Sequence, residues 1–239
     1  MTFFGKQDGD VAGAQSCTQT STPLPAYLRD TYTWAYLNPK TVPWLSSAPV
    51  VAAILWGNAT RLIRETVKEI EPGSKVLQAA AVYGRFSTKL AQAVGDNGRL
   101  DVIDIAPIQV ETARKRVAGM TQAHVMIGDA SVARSTPYDT VVCFFLLHEV
   151  PEEMKKKIVT ALLDSTRPGG KLVFVDYHKP MQFHPLNPVM SKIFDWLDPF
   201  AKGLWDKEIQ AYAPQNDDVI WTKETLFGGM YQKVVAKRL

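Results

Sequence analysis

Val76-Leu77-Gln78-Ala79-Ala80-Ala81-Val82-Tyr83-Gly84 is the stretch on which the reading of the fold turns. It is an apolar run interrupted by Gln78. It leaves the turn Glu71-Pro72-Gly73-Ser74 and passes at Gly84 into residues 85–94, which have helical spacing and stop at Gly95. A strand, a loop and a helix in that order open a parallel α/β sheet, because a strand buried on both faces reads as a nearly continuous apolar run.

The alternation continues downstream. Residues 100–104 read as a second strand, 108–120 as a helix charged on one side, and 125–127 as a short third strand ended by Gly128-Asp129. Residues 140–147 form a long apolar fourth strand. Pro151 then takes a first-turn position ahead of a helix over 152–166. Arg167-Pro168-Gly169-Gly170 stops that helix, and residues 171–176 form the fifth strand. This βαβαβ order predicts a parallel sheet covered by helices with right-handed crossovers. The C-terminus differs: residues 219–227 and 230–237 read as two strands joined by Gly228-Gly229, a tight hairpin.

The flanks read differently from the centre. Residues 50–70 are predicted as one helix with Ile54, Leu62, Ile63, Val67 and Ile70 near one face. Met190, Ile193, Phe194, Leu197 and Leu204 repeat at helical spacing further on. Both stripes fit core packing, a hydrophobic pocket, or a surface that touches a membrane. The predicted organisation is a flexible tail over 1–25, a helical cap over 26–70, and a main domain over 71–239 whose insertion 180–215 adds to the cap. No internal repeat is visible.

Composition agrees with a globular chain. The 239 residues carry 27 Lys+Arg against 24 Asp+Glu, a formal net charge of +3, with 46% apolar residues. These values exclude disorder throughout and give no support to nucleic-acid binding through a large basic surface. Two cysteines, Cys17 and Cys143, cannot make a disulfide scaffold and suggest a reducing compartment. The longest apolar run near the start, residues 48–56, contains Pro49 and is far short of the ~20 residues that span a bilayer. Asp8 and Asp10 stand where a signal peptide would be basic. All six tryptophans lie outside residues 75–176.

In an open α/β sheet, ligands bind at the carboxyl ends of the strands where the strand order reverses. The segment 76–84, in position and flanks, resembles motif I of class I S-adenosylmethionine (SAM) methyltransferases. The parallel sheet finished by an antiparallel hairpin resembles the same class, which implies an α/β Rossmann-like sheet of seven strands. That family usually carries an acidic residue where Gln78 stands and glycines at Ala80, Val82 and Gly84; here only Gly84 remains. Glycine serves such loops by allowing positive φ and close ligand approach. Asp104 ends the second strand, 20 residues after Gly84, where a carboxylate can accept both ribose hydroxyls. Asp129, in Gly128-Asp129-Ala130, matches the residue with which the family accepts the adenine amino group. The resemblance implies a cofactor site of Gln78, Ala79, Ala80, Tyr83, Gly84, Asp104, Ile105, Asp129, Ala130 and Phe145.

A closer likeness rests on Phe144-Phe145-Leu146-Leu147-His148-Glu149-Val150-Pro151 and on residues 167–172, which resemble motifs of quinone-biosynthesis methyltransferases. The degenerate segment 76–84 and Leu226-Phe227-Gly228-Gly229-Met230-Tyr231-Gln232-Lys233 instead resemble the RquA family of rhodoquinone-biosynthesis proteins, a diverged branch, over residues 28–239. That resemblance implies conversion of ubiquinone to rhodoquinone. In that reaction a ring methoxy group is replaced by an amino group from SAM, with manganese assisting. An altered motif I loop fits an amino donor, which must present its α-amino nitrogen rather than its S-methyl carbon.

Amine addition to a quinone needs an activated ring carbonyl and a route for protons. A divalent metal, held by carboxylate and imidazole, can polarise such a carbonyl. The expected catalytic residues are His148, Tyr177 and His178, and the expected metal ligands Asp176 and His178. His148 is a base, a metal ligand or a structural histidine at the start of the next helix, and Glu149 is either a further candidate beside the pocket or a charge that favours the helix N-terminus. His184 is a weaker candidate in a loop. Tyr83 stands in the motif I loop, where it contacts a ligand or fills the space of missing glycine turns. An apolar quinone substrate implies peripheral, reversible contact with a bacterial inner membrane from the cytoplasm through residues 190–205. Two other functions fit the residues: a conventional methyltransferase on a small apolar substrate, and a non-catalytic partner in a quinone-biosynthesis complex.

Overall fold

The computed structural model describes residue 25 and residues 48–239 apart from 197 and 216. The expected tail and residues 26–47 of the expected cap lie outside it, as does Leu197 of the apolar stripe. Seven strands form one sheet in the order β3-β2-β1-β4-β5-β7-β6. They are β1 (Lys75–Ala79), β2 (Arg99–Asp104), β3 (Ala123–Ile127), β4 (Tyr138–Phe144), β5 (Thr166–Tyr177), β6 (Val219–Leu226) and β7 (Tyr231–Arg238). The first five run parallel, and β7 joins β5 and β6 antiparallel. The order reverses between β1 and β4, so a crevice opens at their carboxyl ends.

Alternation along each strand sorts side chains onto two apolar layers. On one face Val76, Val102, Val142 and Val175 pack with Phe86, Leu90 and Val94 of helix α3 (Phe86–Val94). On the other, Leu77, Val141, Cys143 and Phe174 pack with Ile158 and Leu162 of α5 (Glu152–Asp164). Helix α4 (Pro107–Arg116) links β2 to β3. Pro151 precedes α5 with an extended backbone, as a helix start requires.

The structure departs from the sequence-based expectation in two places that shape the site. Residues 50–70 are not one helix but two, α1 (Ala48–Ile54) and α2 (Ala59–Val67). The chain turns between them with positive φ at Trp56 and Gly57, and Asn58 Nδ2 donates to the carbonyls of Leu55 and Trp56. The fifth strand begins early, at Thr166, because Arg167–Gly170 bulges within the ladder rather than ending it; the register against β4 shifts between Tyr138 and Thr140. The C-terminal hairpin forms as expected, with positive φ at Phe227, Gly228 and Gly229.

Above the crevice, α1 and α2 meet α6 (Asn187–Trp196). Trp56 Nε1 donates to Met190 Sδ at 3.2 Å, and Met190 and Phe194 are buried in the same apolar cluster as Leu62. The short helix α7 (Gly203–Asp206) follows. Lys155 of α5 is buried beside it, its ammonium held by Glu152 at 2.6 Å and the Phe200 carbonyl at 2.8 Å. No helix among the described residues is long and apolar enough to cross a membrane.

Candidate functional site

The carboxyl ends of β1 to β5 open into a cavity of about 540 Å³. Its floor is made by loop residues Ala80–Tyr83, Asp104–Ala106 and Gly128–Ala130; its roof is the apolar row Val51, Ile54, Trp56, Ile63, Met190 and Ile193.

Asp104 is tied down at both oxygens. Oδ1 accepts from Ala106 N–H at 2.8 Å and Oδ2 from Ala81 N–H at 2.8 Å. Burial pushes its carboxyl up to about 6, although the two N–H groups act against the shift. A carboxylate placed and oriented in this way retains lone pairs for ribose hydroxyls. Asp129 also lines the cavity. Its Oδ1 accepts from Ser131 N–H and Oγ at 2.8 and 2.7 Å, a turn that fixes the carboxylate after β3.

The loop after β1 solves the loss of its glycines by side-chain support. Ala80 adopts φ +68° and Gly84 φ +79°, so the left-handed conformation persists at Ala80 without glycine. Gln78 is fully buried beneath the loop, its Nε2 donating to the Ala80 carbonyl at 2.9 Å. From α4, Arg116 Nη1 donates to the Val82 carbonyl at 2.9 Å, and Gln109 Nε2 donates to the Tyr83 hydroxyl at 3.0 Å. Burial pushes the Tyr83 phenol up to about 12, so it stays a neutral group of the cavity wall.

At the opposite side stands a buried dyad. His148 lies in the short 3₁₀ turn Leu147–Glu149 that follows β4. Asp176 ends the neighbouring β5. Their strands are paired with Phe144 opposite Val175, which brings the two side chains together. Asp176 Oδ1 bonds His148 Nδ1 at 2.8 Å and accepts from Tyr177 N–H at 2.8 Å; Oδ2 accepts from Leu147 N–H at 2.9 Å. Burial alone would discharge the imidazole. The Asp176 carboxylate, helped by Glu149 and Asp198, outweighs it and raises the ring to about 9. His148 is therefore an imidazolium at neutral pH with Nδ1–H on Asp176, and Glu149 Oε1 lies 3.6 Å from its Nε2. The Tyr177 and Phe145 rings pack edge-on against it, their centroids at 4.9 and 5.8 Å. Phe145 takes φ +52°, a strained conformation at the mouth of the strand.

Of the cofactor residues expected from sequence, Ala80, Tyr83, Asp104, Ile105, Asp129, Ala130 and Phe145 line the cavity; Gln78, Ala79 and Gly84 do not. Gln78 and Ala79 are buried behind the loop, because alternation on β1 turns them into the two core layers. Of the expected catalytic residues, His148 and Tyr177 line the cavity and His178 does not. His178 turns onto the C-terminal hairpin, where Nδ1–H donates to the Gly229 carbonyl at 2.8 Å and Nε2 accepts from Lys223 at 2.9 Å. The expected metal pair is corrected by the same geometry. Asp176 is committed to His148 and backbone N–H groups, and both His178 nitrogens are engaged elsewhere. Among the described residues no cluster of three or more His, Cys, Asp or Glu side chains is arranged for a metal ion. The donor set among the described residues does not fit manganese. Glu149, a candidate from sequence, lines the cavity, and so does Asp198, which the sequence does not single out as a site residue.

Comparison with known proteins agrees with this architecture. Residues 76–170 match a protein-family model described as a methyltransferase domain. The ubiquinone/menaquinone biosynthesis C-methyltransferase UbiE of Ectopseudomonas mendocina is 27% identical over 150 residues, covering 59% of this chain and 56% of that protein. The demethylmenaquinone methyltransferase of Bacillus cytotoxicus is 26% identical over 147 residues, covering 55% of this chain and 61% of that one. The chain thus spans little more than half the length of these relatives. Among solved structures, the mitomycin 7-O-methyltransferase MmcR superposes with a TM-score of 0.60 at 13% identity, covering 84% of this chain and 58% of that one. A SAM-dependent methyltransferase from Aquifex aeolicus gives 0.51 at 18% identity, covering 74% of this chain and 89% of that one. Sheet order, cavity position and these matches converge: the chain has the class I SAM-dependent methyltransferase fold, and residues 76–170 within it are similar to a methyltransferase domain.

Proposed function

We propose that this protein is a SAM-dependent enzyme acting on a quinone ring, and that it converts ubiquinone to rhodoquinone by replacing a ring methoxy group with an amino group. The observation that carries the reading is the pairing, in one cavity, of Asp104 on the floor with the Asp176-held His148 imidazolium under an apolar roof. Asp104 accepts the ribose hydroxyls of SAM, and Asp129 the adenine amino group. The Ala80–Tyr83 loop holds the methionine end. SAM would supply the transferred nitrogen: its α-amino group bonds to the ring carbon as the methoxy group leaves with a proton as methanol, and the bond from that nitrogen to the SAM α-carbon is then cleaved by water. His148 donates a hydrogen bond to a ring oxygen and stabilises the negative charge that gathers there as the ring carbon is attacked. A buried donor that is cationic at neutral pH does the work that the sequence had suggested for a Lewis acid, and no step is assigned to a metal. Tyr177 and Phe145 wall the ring, and the α1, α2 and α6 side chains exclude water from it.

Amino rather than methyl transfer is supported by the loop after β1, where Gln78, Ala80 and Val82 replace the residues usual in methyl transfer and Tyr83 intrudes on the cavity. Methyl transfer to a quinol is the second reading, favoured by the named activities of the relatives. The test is incubation with SAM labelled with nitrogen-15 in its α-amino group and a short-chain ubiquinone, followed by mass spectrometry. Loss of methoxy with gain of labelled amino nitrogen is the expected result. A gained methyl group instead establishes the second reading. Absence of SAM binding by calorimetry establishes a non-catalytic partner.

A quinone substrate partitions into lipid, and we place the enzyme at the cytoplasmic face of a bacterial inner membrane by peripheral contact. Phe183, four residues before α6, and Trp196, its last residue, are each 90% exposed and supply the apolar contacts. Flotation with liposomes should fall when both are replaced by Ser. Equal flotation of the double variant would remove this contact.

A further inference from the structure

Three cations close helix α4, and the structure uses them differently. Lys115 pairs with Glu111 on the helix surface at 2.7 Å, and Arg114 Nε donates to the Val125 carbonyl of β3 at 3.0 Å. Both are ordinary ways to finish a helix, whose C-terminal end favours positive charge. Arg116 turns instead to the loop after β1. Its Nη1 donates to the Val82 carbonyl at 2.9 Å, and its guanidinium carbon stands 5.8 Å from the centroid of the Tyr83 ring. Val82 and Tyr83 line the cavity, whereas Arg116 stands behind them and does not. Alternate carbonyls of the loop are thus held from behind, Ala80 by Gln78 and Val82 by Arg116. The placement is costly. Arg116 is partly buried, and its Nη2 is buried without a hydrogen-bond partner among the described residues. Burial works against the guanidinium charge, and Tyr83 acts the other way. A cation kept in this state for one bond to a loop carbonyl is a weak source of stability compared with an apolar side chain of similar volume. What it does supply is the shape of the loop.

From this arrangement we propose that Arg116 is a positioning residue for the amino-acid end of the cofactor: by fixing the Val82 carbonyl and the Tyr83 ring from behind, it sets the loop in the shape that grips that end. The proposal rests on the proposed function, in which this loop holds the methionine end of SAM. Arg116 touches neither cofactor nor quinone and acts only through Val82 and Tyr83. The adenosine half is held elsewhere, by Asp104 at the end of β2 and Asp129 after β3. Asp104 takes one of its two backbone bonds from the loop, at Ala81, and the other from Ala106, which Arg116 does not hold. Loosening the loop therefore releases the amino-acid end and leaves most of the adenosine site standing.

The test uses the full-length protein and two probes, S-adenosylhomocysteine and methylthioadenosine. Both carry adenosine and a neutral sulfur, and only the first carries the amino-acid end. In calorimetry at neutral pH the wild type should bind S-adenosylhomocysteine at least about tenfold more tightly than methylthioadenosine. Arg116→Met should weaken S-adenosylhomocysteine by at least about tenfold and change methylthioadenosine by less than about threefold. Arg116→Lys, which keeps a cationic donor, should fall between the wild type and Arg116→Met, and it decides the question alone if Arg116→Met does not fold. A residue that merely packs would weaken both probes alike, so an equal loss of both overturns the proposal. Unchanged binding of S-adenosylhomocysteine by variants confirmed folded in a thermal melt overturns it too, as does a wild type that binds both probes equally. A wild type that binds neither probe overturns the cofactor site itself, and with it this proposal, and is told apart by the missing wild-type signal.

Discussion

Replacing Asp176 by Asn removes the charge that keeps His148 an imidazolium. The ring sits at about 9 instead of the ordinary 6.5; burial pulls it down, and the carboxylates of Asp176, first, and of Glu149 and Asp198 together overcome that pull. A tenfold change in proton affinity is worth about 1.4 kcal/mol, so the raised value contributes roughly 3 kcal/mol to folding. The folded value lies above the unfolded one. That contribution is therefore complete below pH 6.5 and is lost as pH rises through about 9. In Asp176→Asn the loss across this window should flatten, and stability at pH 6 should fall by roughly 3 kcal/mol. The amide has one acceptor oxygen where the carboxylate serves Leu147, Tyr177 and His148 from two, so an unmatched N–H adds in the same direction. Urea denaturation at steps from pH 6 to pH 9.5, beside an NMR titration of the His148 ring, measures both quantities. A wild-type stability curve flat over the window, or a variant with the wild-type slope, refutes the reasoning.

Asp104, raised to about 6 by burial, is protonated as pH falls below that value, so SAM affinity should weaken progressively below about pH 6 in calorimetry. Asp104→Asn should weaken SAM by at least about tenfold near pH 7.5 and abolish that pH dependence. Ala80 holds φ +68°, so Ala80→Val should destabilise by more than about 1 kcal/mol in thermal or urea melts, while Ala80→Gly should stay within about 1 kcal/mol of wild type. Leu62 is fully buried beneath the roof, and Leu62→Ala should cost about 2–5 kcal/mol by the same measurement. Cys143 lies in β4 with its thiol raised by burial, so in a Cys17→Ala background it should react with a thiol reagent only on unfolding.

The strand and helix alternation was legible because it rests on local rules. Apolar runs such as 140–147 mark buried parallel strands, and Pro151, Gly95 and Gly228-Gly229 punctuate them. Asp104 and Asp129 could be placed in the cavity for the same reason: each ends a strand, and strand ends face the crevice in this topology. The helix break at Trp56–Gly57 was not legible. An Asn after Gly interrupts the apolar stripe too little to announce it, and what fixes the turn is Trp56 reaching Met190, 134 residues away. Arg167–Gly170 likewise reads as a terminator, yet the ladder with β4 carries it as a bulge.

The two histidines divide the determinable from the rest. By itself the sequence determined that His148 and His178 lie near the ends of the fourth and fifth strands, since local apolar periodicity places strand ends. It left undetermined which one faces the cavity and what each touches. Tertiary structure decided that through register. Phe144 pairs with Val175, so Asp176 meets His148 and turns it into a buried cation. Met230 receives the His178 N–H, so that ring is drawn onto the hairpin and toward Lys223. A residue's identity fixes which bonds it can make. Only the pairing of strands distant in sequence fixes which it does make, and a buried charge takes its protonation state from those partners.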